Sequence, residues 1–146
     1  MRAAERLRAV GLAVRMLPWA LALPVLKHRM PIPRLVDRMG VSRSGPFDPA
    51  REQIVRQASW WASRVQVGRY PDNCLERSLL AYRYLTLAGA DPRVVLGIGG
   101  GGEDISGHAW VTLDGHPVHD PPESLDRYRR LIELGAADAQ RTTTVM

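Results

Sequence analysis

A length of 146 residues leaves room for one domain, and an apolar share of 45% is enough for a packed core. The single cysteine excludes an internal disulfide and fits a reducing, cytoplasmic setting. The net charge of +5 is lopsided. Residues 1–45 carry nine Lys or Arg against two acids (+7), and the other 101 carry eleven against thirteen (−2). A basic arm therefore precedes a nearly neutral core; it is either a solvated face or a surface for an acidic partner, nucleic acid or an anionic membrane.

In chain order, residues 2–17 suit a helix with Leu7, Val10, Leu12, Val14 and Leu17 at its apolar positions. Prolines at 18, 24, 31, 33, 46 and 49 then punctuate the arm and should keep its helices short. Arg2, Arg6 and Arg8 before the apolar stretch Leu17–Leu26 have the outline of a secretory signal. Arg15, Pro18 and Pro24 interrupt it, and no small-residue cleavage site follows. The ten apolar residues of that stretch fall short of a bilayer span, which needs about 20. The stretch reads as a buried or partner-facing helix. Ser42 to Pro46 reads as a linker, dividing an arm (1–45) from a core (46–134), with a flexible tail at 135–146.

Asp48 and Pro49 suit the cap and first position of a helix carrying Ile54, Val55, Ala58, Trp61 and Val65 to about Val67. Gly68–Asp72 is a turn. Asn73 stands as an N-cap with Glu76 three residues on, the spacing of a capping box, and opens a Leu-rich helix that Gly89 closes. Val94–Ile98 reads as a strand, followed by a glycine-rich loop to Gly102. Further strands are expected at about Gly107–Leu113 and His116–His119, with Asp114-Gly115 turning the chain between them. Ser124–Leu134 reads as a terminal helix. The fold class is α+β: a helix packed on a small antiparallel sheet, preceded by a helical arm.

The chemistry centres on Cys74. A thiol at a helix N-terminus lies where unpaired N–H groups and the helix dipole favour negative charge. His108 and Asp120 follow on a strand pair, the order of a Cys-His-Asp nucleophilic site. The hairpin register decides whether the last two meet. A two-residue turn, Asp114-Gly115, sets Leu113 opposite His116 and, counted along the ladder, Asp120 opposite Ala109, on the other face from His108. A three-residue loop, Leu113-Asp114-Gly115, sets His108 opposite Asp120, with Cβ atoms about 4.5–5.5 Å apart. On this count only the longer loop makes a triad. Asp114 lies at the turn and Asp104 in the preceding loop, so Asp120 is the preferred orienting group.

Other readings are weaker. His116 and His119 at strand spacing point to opposite faces, so a surface pair fits better than a metal site. The Gly97–Gly102 run lacks the Gly-Lys-Ser/Thr of a phosphate loop and reads as a loop rimming the cleft. Trp60, Trp61 and Trp110 read as core, with Trp110 on the face of His108 as a wall for the imidazole. No cofactor or metal is expected.

The run Asn73-Cys74-Leu75-Glu76-Arg77-Ser78-Leu79-Leu80-Ala81, then Gly89, Val95-Leu96-Gly97-Ile98-Gly99, His108-Ala109-Trp110-Val111, Asp114-Gly115 and Asp120 resembles the stand-alone leader peptidases of lasso-peptide biosynthesis. These belong to the transglutaminase-like cysteine peptidases, and the resemblance covers about residues 50–120. It implies a minimal transglutaminase/papain-like core with Cys74, His108 and Asp120 as the catalytic triad. It also implies removal of the leader from a ribosomally made precursor bound by a small precursor-recognition protein, with ring closure by a separate ATP-dependent macrolactam synthetase. The resemblance carries over no oxyanion side chain; Gln66, eight residues before Cys74, is a suggestion from spacing alone. The leading reading has no nucleic-acid partner; contact of the arm with a membrane stays open. The competing readings are a transamidase using the same residues and a non-catalytic peptide- or nucleic-acid-binding protein in which Cys74 is core.

Overall fold

The computed structural model describes residues 1–42, 45–65, 73–100, 105–135 and 143–144. Four helices precede a five-stranded antiparallel sheet: α1 (Ala3–Leu26), α2 (Ile32–Met39), α3 (Pro49–Ser63), α4 (Cys74–Leu87), β1 (Arg93–Gly99), β2 (Ser106–Leu113), β3 (His116–Pro117), β4 (Tyr128–Gly135) and β5 (Thr143–Thr144). The sheet order is β3-β2-β1-β4-β5. The α+β class expected from the sequence is the one observed, with α4 laid against β2 and β1.

The arm departs from expectation. α1 runs without a break through Pro18 and Pro24. An interior proline costs about 3 kcal/mol or more, because it orphans the carbonyl four residues earlier and crowds it. Pro18 sits on the exposed side and orphans the carbonyl of Val14, a residue itself 59% exposed, so water can satisfy it. Pro24 falls in the last turn. Against these costs, Met16 and Leu23 are fully buried and Ala20 nearly so. A fully buried Leu or Met contributes about 2 kcal/mol. The apolar stretch is thus part of a 24-residue helix, long and apolar enough by length and composition to cross a membrane, which corrects the expectation that it is too short.

Met16, Ala20 and Leu23 share one buried cluster with Leu35, Val36 and Met39 of α2, Val55, Ala58 and Ala62 of α3, Leu79 to Tyr82 of α4, and Val94, Val111 and Leu134 of the sheet. α3 starts as its sequence indicates: the Asp48 carboxylate accepts from the Ala50 N–H at 3.0 Å with Pro49 at the first position. It stops at Ser63, four residues short of the expected end. Gly89 closes α4 with φ +96°; the Ala90 N–H bonds the Leu85 carbonyl and the Gly89 N–H that of Thr86, each at 3.0 Å, a full Schellman motif.

Where Ser124–Leu134 reads as a helix, the chain makes one 3-10 turn (Pro122–Leu125) and then β4. Nothing local forbids a helix there, since residues 124–134 contain neither Pro nor Gly. The decision is tertiary. β1 has two ladder edges; β2 pairs one, and β4 takes the other along its length. Val94 and Val95 are wholly buried, so an unpaired edge beside them would leave backbone polar groups dry and unbonded. Of the expected tail, Gly135 ends β4, Thr143–Thr144 pair with β4 and the rest lies outside the described residues, as do Arg43 and Ser44 of the linker and the Gly68–Asp72 turn.

Candidate functional site

Cys74 is the first residue of α4, and Asn73 precedes it as expected. The local chemistry differs from a capping box. The Asn73 side chain caps nothing; its Nδ2 donates to the Ser63 carbonyl at 2.9 Å, tying the start of α4 to the end of α3. Glu76 does not reach back to Asn73 either. It is 1% exposed, with Oε1 2.7 Å from Lys27 Nζ beyond the end of α1. A tertiary charge has displaced a local hydrogen bond of smaller value. Cys74 is buried (8% exposed) at the positive end of the α4 dipole.

His108 enters from β2, opposite Gly97 of β1. Its ring packs in a three-ring cluster, with centroids 5.8 Å from Trp110 at an interplanar angle of 24° and 4.9 Å from Tyr128 at 22°, and those two rings are 6.2 Å apart. The expectation that Trp110 walls the imidazole holds; Tyr128, brought by β4, is an addition. Glycines make the stack possible. A Cβ on Gly97 would sit 2.9 Å from the Trp110 ring and from the Arg129 carbonyl, and one on Gly99 2.8 Å from the Tyr128 ring.

The hairpin register is the one the strand count disfavoured. Leu113 pairs with His116 and Thr112 with Pro117. Asp114 (φ +51°) and Gly115 (φ +82°) form a two-residue turn with both residues left-handed, the type I′ pattern that Asp-Gly favours. The three-residue loop is therefore overturned, and so is the inference that only it brings His108 and Asp120 together. Asp120 Oδ1 lies 3.4 Å from His108 Nε2. The reason is that β3 ends at Pro117, two residues before the expected His119. One further backbone bond, Val118 N–H to the Val111 carbonyl at 2.9 Å, holds the chain. Residues 118–120 then bend, and strand alternation no longer sets the direction of Asp120.

The electrostatics are those of a charged imidazole between two acids. His108 is raised from 6.5 to about 10, first by the Asp120 carboxylate beside it and second by a hydrogen bond to the Cys74 thiol, against the opposing effect of burial. Burial pushes Asp120 up, but the His108 contact, with Arg77 and His119 behind it, outweighs burial and holds the carboxyl below its usual range. The 3.4 Å contact is an ion pair, longer than a tight N–H···O bond.

Arg77 is a residue that sequence reasoning missed. It stands one helical turn after Cys74 on α4, with Nη2 3.7 Å from Asp120 Oδ1 and its guanidinium 5.0 Å over the Trp60 ring. The signal available was its i+3 spacing from Cys74, which puts both on one helix face. Trp60, expected in the core, is 38% exposed at the rim, stacked on by Arg64 as well. His116 and His119 part company. His116 is exposed, 3.1 Å from Glu52. His119, rather than pairing with it on the surface, turns inward, its Nε2 2.8 Å from Ser59 Oγ. Burial first and Arg77 second hold it down at about 4, so it is neutral behind Asp120. Among the described residues no group of three His, Cys, Asp or Glu could hold a metal ion. Gln66 and Asp104 lie outside the described residues, as do Gly101 and Gly102.

The arrangement thus presents a thiol, an imidazole and a carboxylate in sequence of contact, backed by an arginine. Comparison with curated proteins and with solved structures returns no match. A family profile described as the transglutaminase-like superfamily matches residues 6–133, a span that starts inside α1 and ends in β4. With a profile matching most of its length, the chain belongs to the transglutaminase-like superfamily.

Proposed function

We propose that this protein is a cysteine endopeptidase that removes the leader from a ribosomally made precursor peptide during lasso-peptide maturation. The observation that carries the reading is the contact chain from Cys74 through His108 to Asp120. The superfamily includes cysteine peptidases and transamidases, and the lasso-specific part rests on the motifs around Cys74 and His108.

In this reading His108 already holds, as imidazolium, the proton drawn from the thiol, and the Cys74 sulfur attacks the carbonyl carbon of the scissile peptide. The oxyanion forms at the N-terminus of α4, where first-turn N–H groups are not used within the helix. His108 then gives its proton to the leaving amine, which departs as the core peptide. Water, deprotonated by His108, attacks the thioester and releases the leader acid and the free thiol. Asp120 orients the ring and stabilises its charged form. Arg77 is a positioning residue that acts through Asp120. A small precursor-recognition protein holding the leader would raise the effective concentration of the cleavage point. The ring-closing synthetase acts on the released core.

The test is incubation with precursor and recognition protein, followed by mass spectrometry. Two fragments summing to the precursor plus water, absent with Cys74→Ala, support the peptidase. Loss of ammonia without cleavage moves the chain to the transamidases. No product from the wild type, together with binding that Cys74→Ala leaves unchanged, refutes both and leaves a binding protein with a structural cysteine.

A further inference from the structure

One face of α1 is not accounted for by the core. Leu7, Val10, Val14, Leu21 and Val25 are 73%, 49%, 59%, 57% and 53% exposed, and Pro18 is exposed between them. Their spacings of three, four, four, three and four residues place all six on one side of the helix. From Leu7 to Val25 the stripe runs about 27 Å. Single exposed apolar residues need no explanation, but six in one line do.

The opposite side of the helix limits what can cover it. Ala9, Met16 and Leu23 are fully buried and Ala20 is 2% exposed, so α1 cannot leave the fold to span a bilayer without opening the core. The helix can only lie along its partner. Charge then selects among partners. Arg2, Arg6, Arg8 and Arg15 are all exposed along α1, and Arg29, Arg34 and Arg38 continue beyond it. The only acid on α1 is Glu5, half-buried toward the other face. A second copy laid on this stripe would set the α1 arginines against each other, since the exposed acids near them, Asp37 and Asp48, lie off the helix. Apolar residues with flanking arginines suit an anionic lipid surface, where the stripe enters the acyl boundary and the guanidinium groups meet the headgroups.

We infer that the exposed face of α1 binds anionic membrane surfaces, holding the protein flat against the bilayer with the helix in the interface plane. The interaction does not depend on the chemistry at Cys74.

The experiment is flotation of the full chain with vesicles of phosphatidylcholine alone or mixed with phosphatidylglycerol. The wild type is expected to float with the anionic vesicles, at least about tenfold more tightly than with the neutral ones, and to come off as salt rises. Val14→Asn with Leu21→Asn touches no buried residue and should weaken binding about tenfold per side chain at an unchanged thermal midpoint. Arg6→Gln with Arg8→Gln should weaken it about fivefold per charge and flatten the salt dependence. Absence of the wild type from both floated fractions overturns the inference. So does equal flotation of the Val14/Leu21 variant. A concentration-dependent dimer that this variant abolishes, without vesicle binding, assigns the face to a second copy instead.

Discussion

His108 is the group on which the site's charge state turns, and Asp120→Asn isolates its support. The ring is raised from 6.5 to about 10, a rise of about 3.5, worth about 5 kcal/mol in favour of the imidazolium at 1.36 kcal/mol per unit. Asp120 is the larger of two contributors and Cys74 the smaller. Replacing the carboxylate by an amide of the same shape should lower the midpoint by on the order of two units. Cys74→Ala should lower it less. The assay is NMR titration of the His108 Cε1–H resonance. Stability carries the same signature. Because the folded value is raised, the His108 contribution is fully present below about pH 6.5 and is lost as pH climbs toward 10. Asp120, held low, contributes above its unfolded value and loses that as pH falls. The Asn variant should therefore lose most stability near neutral pH and converge on the wild type at the alkaline end. A wild-type midpoint near 6.5, or a variant that titrates like the wild type, would refute the coupling.

Arg77→Gln removes a cation from Asp120 and the guanidinium from Trp60, so the Asp120 midpoint should rise, and the acid limb of any activity profile should move to higher pH. A lower rate with an unmoved limb would make Arg77 merely structural. Lys27→Met takes the cation from Glu76, which is 1% exposed; by the usual cost of breaking a buried pair it should destabilise by about 3–5 kcal/mol, read from the denaturant midpoint. Gly97→Ala forces a Cβ to 2.9 Å from both the Trp110 ring and the Arg129 carbonyl, so it should cost about 1–3 kcal/mol and displace the stack that holds His108. A near-native thermal midpoint with an unchanged His108 resonance would show the stack to be slack.

What the sequence by itself determined follows from signals complete within a few residues. Asp48-Pro49 opens α3, Gly89 closes α4 and Asp114-Gly115 turns the hairpin, because these caps and turns are satisfied by near neighbours. What only the tertiary structure decided are choices between local options of nearly equal energy. The free edge of β1 makes a strand of Tyr128–Gly135, the core face of α1 carries the helix through two prolines, and Lys27 takes Glu76 from a cap. Asp120 belongs to this second group. Strand alternation governs direction only while the ladder lasts, and β3 ends at Pro117; the carboxylate reaches His108 along a bend whose path is set by packing around Ser59, Arg77 and Val111.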